Sequence, residues 1–385
     1  EFDSDIDAYD SVTFQYGDDP DARLHTEQWL ARLQGGYRLL DGRWHQRLGL
    51  SWTDYDRSNR NGPGPVNTVP GASRFKGRKT KLDWVHDFRV DDVHQLSFGL
   101  ETEEEKAELS GGQKPDTGTD GIFLQDHIRI SDAFFTTVGL RRDRHDDFGS
   151  ETTWRLAPAY VLRDSGTRLR ASYGTGFKAP SLSELFESFP PFFFANPDLE
   201  PERSKGWDLG VEQRLLDDRL QLELAYFRND IEDLIAVDPV TFSTLVNLSE
   251  ATTKGYELGL RYQWSPALTL GAGYTYTRAR DETSGQDLVR RPRKKANVHA
   301  DWQATPQLQL GLTGRYVGER DDFDANFTPV EADSYTLFEA RLAYTLTPEW
   351  TVFGRIENAF DQDYEEIPGF GTPGRALYAG VRFTP

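Results

Sequence analysis

The residues best suited to chemistry fall in three stretches. Asp3, Asp5, Asp7 and Asp10, with Asp18, Asp19 and Asp21 close behind, crowd carboxylates into residues 1–22. Calcium takes roughly six to eight hard oxygen ligands, and alternating aspartates supply them without a rigid cage, so the first four are candidate Ca2+ ligands. The competing reading is a solvated acidic segment in an acidic protein, and the spacing is not that of an EF-hand. Arg290 and Arg291 are the second stretch. A guanidinium fork there suits amide or phosphate oxygens, or the pair joins Arg293, Lys294 and Lys295 in neutralising nearby anions. The third is the run from Phe186 to Ala195, which carries Phe189, Phe192, Phe193 and Phe194. Exposed aromatics in such number mark contact with a ligand or partner, here by stacking on a flat chelate, unless they pack on a neighbouring loop.

Catalysis has little support. His25, His45, His86, His94, His127, His145 and His299 show no metalloprotease spacing, and neither a Gly-x-Ser-x-Gly elbow nor a strand-loop-helix phosphate site occurs. Cysteine is absent, which removes disulfides and thiolate metal sites. A formal charge of −19 argues against nucleic acid, since phosphate binding needs a basic face, and favours cationic ligands or divalent metals.

Strands must position these residues. From Leu220 to Tyr226 greasy and polar side chains alternate, and Leu268–Tyr276, Leu308–Leu312, Phe338–Tyr344 and Leu377–Phe383 repeat the beat. Successive strand side chains point to opposite faces, so each segment has one apolar and one polar surface. Mean hydropathy is −0.65 and 28% of residues are charged, which fits a membrane protein only if half its side chains face a wet lumen. No stretch reaches the roughly 18 apolar residues of a spanning helix. A bilayer would be crossed by a closed sheet.

Turn signals at Asp41-Gly42, Asp91-Asp92, Ser131-Asp132, Asp164-Ser165-Gly166, Asp217-Asp218, Ser265-Pro266, Thr305-Pro306 and Thr347-Pro348 alternate with longer polar segments. The longer segments lie at about 57–73, 104–119, 143–151, 178–203, 229–252, 279–292, 319–334 and 361–374. Short turns on one rim and long loops on the other predict an all-β, antiparallel transmembrane β-barrel of about 17 strands, or 18 with one near Ser11–Tyr16, spanning 1–385 as one domain. The tryptophans sit mostly near strand ends, where interfacial girdles lie. A soluble β-sandwich is the alternative. On a barrel rim, Asp143, His145 and Asp146 are the one set that resembles the Asp and His sites of outer-membrane proteases.

Longer motifs narrow the class. The run Tyr173–Phe186 (YGTGFKAPSLSELF), the run Asn196–Gly210, the stretch from Asn247 to Leu258 and the closing pair Glu357–Tyr364 and Gly374–Phe383 together resemble TonB-dependent outer-membrane receptors over nearly the whole chain. Leu288-Val-Arg-Arg-Pro292 is most similar to the vitamin B12 receptor branch. The resemblance implies a 22-stranded barrel filled by an N-terminal plug, taking up scarce metal chelates with energy from TonB. Plug and TonB box are missing from this sequence, and Arg23–Trp52 resembles a hairpin several strands in, so the chain reads as truncated, with a plug supplied elsewhere. The resemblance to the cobalamin receptors also implies calcium held by an acidic loop and a Tyr-Asp pair, for which Tyr55 and Asp56 are the nearest match. Arg290 is the better matched arginine, and Phe323 falls near a substrate loop. Thr384 and Pro385 follow Phe383, whereas the family ends on an aromatic.

The expectation is therefore a monomeric outer-membrane transporter, not an enzyme. Its ligand would be cobalamin or a related corrinoid, alternatively a ferric siderophore, and its neighbours membrane lipid and lipopolysaccharide. A passive porin is the competing class.

Overall fold

The computed structural model describes residues 2–4, 23–62, 71–191, 193–324 and 328–384. The strands are β1 (Phe2–Ser4), β2 (Arg23–Leu39), β3 (Trp44–Asn61), β4 (Gly71–Arg89), β5 (His94–Glu108), β6 (Asp116–Arg129), β7 (Phe134–His145), β8 (Gly149–Leu162), β9 (Thr167–Lys178) and β10 (Glu202–Leu215). They continue with β11 (Leu220–Val237), β12 (Leu245–Ser265), β13 (Leu268–Asp281), β14 (Lys294–Gln303), β15 (Leu308–Val317), β16 (Arg320–Phe323), β17 (Pro329–Ala332), β18 (Tyr335–Thr345), β19 (Trp350–Glu357) and β20 (Ala376–Phe383). Among the described residues, a 3-10 turn at Arg163–Ser165 and one α-helical turn, α1 (Leu182–Phe186), interrupt them. Eighteen strands form one sheet, each antiparallel to its chain neighbours; β15 passes to β18 across the small β16–β17 hairpin. Among the described residues the two stacked sheets of a β-sandwich do not occur.

Register sorts the side chains. Leu33 lies opposite Leu50, which lies opposite Leu82; Leu48, Trp84, Leu100 and Ile122 form a second row across four strands. These apolar rows share one face and stay exposed, Leu33 and Leu377 at 76% each, because the sheet has no second apolar layer to meet. A continuous exposed apolar surface of this kind is what the lipid-facing wall of a barrel presents. The other face carries ion pairs within, between and across strands: Lys81 with Glu101 on the next strand at 3.2 Å, Arg32 with Asp83 two strands away at 2.9 Å, and Arg141 with Glu101 two strands away at 2.7 Å and with Asp143 on its own strand at 2.6 Å. Gly49 makes room for them, since a Cβ there would sit 2.5 Å from the Arg32 guanidinium and 2.8 Å from the Asp83 carboxylate.

The short turns behave as their residues require. At Asp41-Gly42 the chain is left-handed, with φ of 53° and 84°, a conformation that Asp and Gly tolerate. At the next turn of this rim, Asp91 accepts the Val93 and His94 amides at 2.8 and 2.7 Å. These bonds hold its carboxyl below the usual range.

The opposite rim departs from expectation. The segment expected as a loop at 57–73 begins and ends in strand, with β3 running to Asn61 and β4 starting at Gly71, and the segment at 229–252 shrinks to a connection over 238–244. Polar composition signalled loops, but the strands simply rise beyond the apolar band. There both faces are polar while the ladder continues, as in Asp54 opposite Arg78 and Asp56 opposite Lys76. The strand expected near Ser11–Tyr16 lies outside the described residues.

Candidate functional site

The long-loop rim is built by the motif residues themselves. Ser181 caps α1: its hydroxyl accepts the Glu184 amide at 3.3 Å while Glu184 accepts the Ser181 amide at 2.7 Å, a reciprocal capping box. Leu182 is buried with Ala107 and Leu109, and Phe75 and Phe186 pack on that cluster. Asn247 clamps the far side of the same loop, donating to the Glu200 carbonyl at 2.8 Å and accepting the Glu200 amide at 2.9 Å. Asn196 donates to the Leu245 carbonyl at 2.9 Å. The loop between β9 and β10 is thus fixed at both ends, which presents its aromatic middle to solvent at little further entropy cost.

In that middle, Phe189 and Phe193 exchange backbone hydrogen bonds of 2.8 and 3.1 Å around the cis Pro190-Pro191 peptide. Phe194 donates its amide to the Ser243 carbonyl at 2.8 Å, joining the β11–β12 connection. Phe189 and Phe194 remain 43% and 48% exposed; Phe192 lies outside the described residues. Asp238 shapes the β11–β12 connection by accepting the Val240 amide at 2.9 Å and the Thr241 hydroxyl at 2.6 Å. The Thr241 hydroxyl first, then the Val240 amide, holds its carboxyl below the usual range.

The contacts run on across the rim. Phe242 meets Phe323 edge to face, with ring centroids 4.9 Å apart. The residue before Phe323, Asp322, is fully buried and accepts the Arg290 Nε at 3.1 Å and the Phe323 amide at 2.8 Å. Arg290 also donates its backbone amide to the Asp321 carbonyl at 2.8 Å, so the β13–β14 loop is latched to the β16–β17 hairpin. Arg320 lies over the Tyr335 ring and donates to the carbonyls of Asp333 at 3.2 Å and of Glu365 and Glu366 at 2.5 and 2.6 Å, which brings in the β19–β20 loop.

Arg290, Phe323, Phe189, Phe193 and Phe194, chosen from three separate stretches of sequence, therefore belong to one connected rim. Phe242, Asp322 and Arg320 complete it and were missed. Phe242 stands alone in a turn, and Asp322 reads as one more acid in Arg320-Asp-Asp-Phe323.

The other candidates lie apart. Asp56 holds Arg74 with two bonds of 2.9 and 2.5 Å and has Lys76 at 3.7 Å, while Tyr55 packs on Phe75. As consecutive strand residues, Tyr55 and Asp56 face opposite sides of the wall. Asp3 pairs through its backbone with His25; Asp5, Asp7 and Asp10 lie outside the described residues. Among the described residues no cluster of three or more His, Asp or Glu side chains could hold a metal. Asp143 is committed to Arg141, and His145 accepts the Asp147 amide at 3.2 Å and packs on Phe148, so the protease-like trio forms no acid–imidazole pair.

Comparison with solved structures gives the same architecture. The copper transporter OprC aligns with 94% of this chain at a TM-score of 0.78 and 17% identity, and 66% of its own length is covered. A mutant of the ferric enterobactin receptor PfeA from Pseudomonas aeruginosa aligns with 95% of the chain at 0.76 and 20% identity, covering 62% of that receptor. The ferric-catecholate import receptor Fiu from E. coli aligns with 94% at 0.75 and 18% identity, covering 65%. The chain thus spans just under two thirds of each. At such identities these likenesses establish the fold. The family model described as TonB dependent receptor-like, beta-barrel matches residues 2–359, and with that match over most of its length the chain belongs to the TonB-dependent receptor β-barrel family.

Proposed function

We propose that this chain is the wall of a monomeric outer-membrane receptor that captures a ferric siderophore and imports it with energy delivered by TonB. The observation that carries the reading is the rim itself, where half-exposed Phe189 and Phe194, the Phe242–Phe323 pair and the half-exposed Arg290 guanidinium belong to one run of contacting loops. A ferric catecholate offers flat aromatic rings around an anionic metal centre. Aromatic faces and guanidinium groups are the side chains that suit both parts.

The names of the structural neighbours point the same way: ferric enterobactin and ferric-catecholate receptors and a siderophore receptor, PirA from Acinetobacter baumannii. The corrinoid expectation rested on the arginine pair at 290–291. Here Arg290 serves as the latch on Asp322, which gives that pair a structural task without any corrinoid. Calcium in residues 1–22 stays part of the proposal as a means of ordering the same rim.

The test is a titration of the whole receptor with ferric enterobactin and, separately, cyanocobalamin. Replacing Phe189 and Phe194 together by Ala should weaken binding of the ferric chelate roughly 10- to 30-fold, at about 1 kcal/mol for each stacking ring removed. Binding of cyanocobalamin without the ferric chelate would restore the corrinoid reading, and steady single-channel conductance with neither ligand bound would favour a porin.

A further inference from the structure

Arginines crowd the β13–β14 loop and the β16–β17 hairpin, and most of them are committed. Arg293 gives both Nε and a terminal nitrogen to Asp287, at 2.8 and 2.6 Å, and Arg278 gives Nε to the same carboxylate at 3.2 Å. Arg320 is occupied by main-chain carbonyls, and Arg291 donates a terminal nitrogen to the Arg290 carbonyl at 3.2 Å. Arg290 is held differently. It meets Asp322 through Nε alone, 3.1 Å from Oδ1 and 3.2 Å from Oδ2, and its terminal nitrogens Nη1 and Nη2 have no hydrogen-bond partner among the described residues. Arg74 on Asp56, Arg141 on Asp143 and Arg228 on Asp230 each commit Nε and a terminal nitrogen together. A guanidinium offers its donors in a rigid plane, so a grip through Nε alone leaves the far edge of the Arg290 fork open.

The two partners differ sharply in burial. None of the Asp322 side chain is open to water, while 51% of the Arg290 side chain is. A buried carboxylate is tolerated only when it is paired and hydrogen-bonded, and Asp322 has the Arg290 Nε and the Phe323 amide, the latter at 2.8 Å. Arg290 itself sits at φ 59°, left-handed backbone that a residue with a Cβ keeps only where its surroundings over-determine it. Those surroundings are the Asp321 carbonyl, which accepts the Arg290 amide at 2.8 Å, and the Asp322 carboxylate on Nε. The root of the guanidinium is thus fixed and its tip is wet. The same carboxylate also places a ring, since its bond to the Phe323 amide fixes the backbone from which Phe323 meets Phe242. One buried acid holds a cation and an aromatic pair in a set relation.

We propose that Asp322 is the positioning residue that sets the charge specificity of the mouth. With Nε moored on Asp322, the terminal nitrogens of Arg290 form an open fork that takes two anionic oxygens of the bound chelate side by side, as a bidentate pair. Asp322 touches no ligand itself. The inference rests on the siderophore reading above and adds to it a division of labour within one side chain: Nε for the protein, Nη1 and Nη2 for the cargo. A lysine cannot divide itself in this way, because its ammonium is a point charge without a second edge.

Arg290→Lys separates the two roles. The whole receptor is titrated with ferric enterobactin. In Arg290→Lys the ammonium keeps a charge for Asp322, so exchange of the Phe323 amide should stay slow, yet affinity should fall about tenfold or more, as expected for losing charge-assisted hydrogen bonds. Asp322→Asn should cause a similar loss, and combining the two should add little to either, because both disable one fork. In the parent, the Nε proton of Arg290 should exchange slowly before ligand is added, whereas the Nη protons should slow only when the diamagnetic gallium chelate of enterobactin is bound, as nitrogen-resolved NMR exchange would show. Parent-level affinity in Arg290→Lys, with the Phe323 amide still protected, overturns the proposal and leaves Arg290 as a latch alone. Unchanged exchange of the terminal nitrogens at saturating gallium chelate overturns it as well, and requires no variant to fold. A parent receptor that binds no ferric enterobactin overturns the siderophore reading instead.

Discussion

The inner wall of β2–β7 and the rim over β9–β20 both set arginines against carboxylates, yet by different means. On the wall the ladder does the placing: Arg32 reaches Asp83 across the intervening β3, and Lys79 reaches Glu103 at 2.5 Å and Glu105 at 2.7 Å on its neighbouring strand. These pairs are partly open to water, and any one of them is replaceable because the backbone already holds the strands. On the rim the side chains do the placing. Asp322 is fully buried, and the partner it holds, Arg290, comes from another loop. The ladder makes wall pairs cheap to lose, and its absence makes rim pairs structural.

Removing the buried carboxylate should therefore show the largest effect. Asp322→Ala strips Arg290 and the Phe323 amide of their acceptor together and should lower the opening free energy of the rim by about 2–3 kcal/mol, the lower end for a buried pair because its arginine is half exposed. Hydrogen exchange at the amides of Arg290 and Phe323 would report it, and unchanged protection there would erase the distinction between rim and wall. Phe242→Ala should come next, at about 1 kcal/mol for removal of the edge-to-face ring pair, visible as faster exchange in the β16–β17 hairpin with the barrel's melting temperature unaltered.

On the wall, Lys79→Ala should cost only about 0.5 kcal/mol, since its two glutamates stay partly solvated and the pairs are screened. A large drop in melting temperature would mean that the lumen pairs carry more than the ladder does. The smallest effect belongs to pH. Asp238 has its carboxyl held below the ordinary range in the folded loop, so its support of the β11–β12 connection is present above the usual aspartate range. That support is lost as pH falls through the depressed value. Protease nicking within 238–244 should rise on acidification in the parent and be pH-independent over that range in Asp238→Asn.

Much of the wall was legible because a period of two leaves little room: Leu220–Tyr226 can only be a strand with one apolar face, and its register with β12 follows from that face. The rim was legible in composition and not in arrangement. The run Phe189–Phe194 and the arginine at 290 stand out by residue type, but the contacts that unite them pass through Phe242 and Asp322. The burial of Asp322 depends on a residue 32 positions away that no local pattern announces. The boundaries at Asn61 and Gly71 were misread for a related reason. Above the apolar band the strands have water on both sides, so the alternation that marks a strand fades while its hydrogen bonds persist.

Arg320 grips its neighbouring loop only by main-chain oxygens, those of Glu365 and Glu366. A staple that ignores side-chain identity leaves Glu366 free to be exchanged during evolution without loosening the mouth, while the Glu365 carboxylate keeps a task within its own loop by accepting the Gly369 amide at 2.9 Å. Descendants of one scaffold can thus alter what they recognise while keeping the same frame.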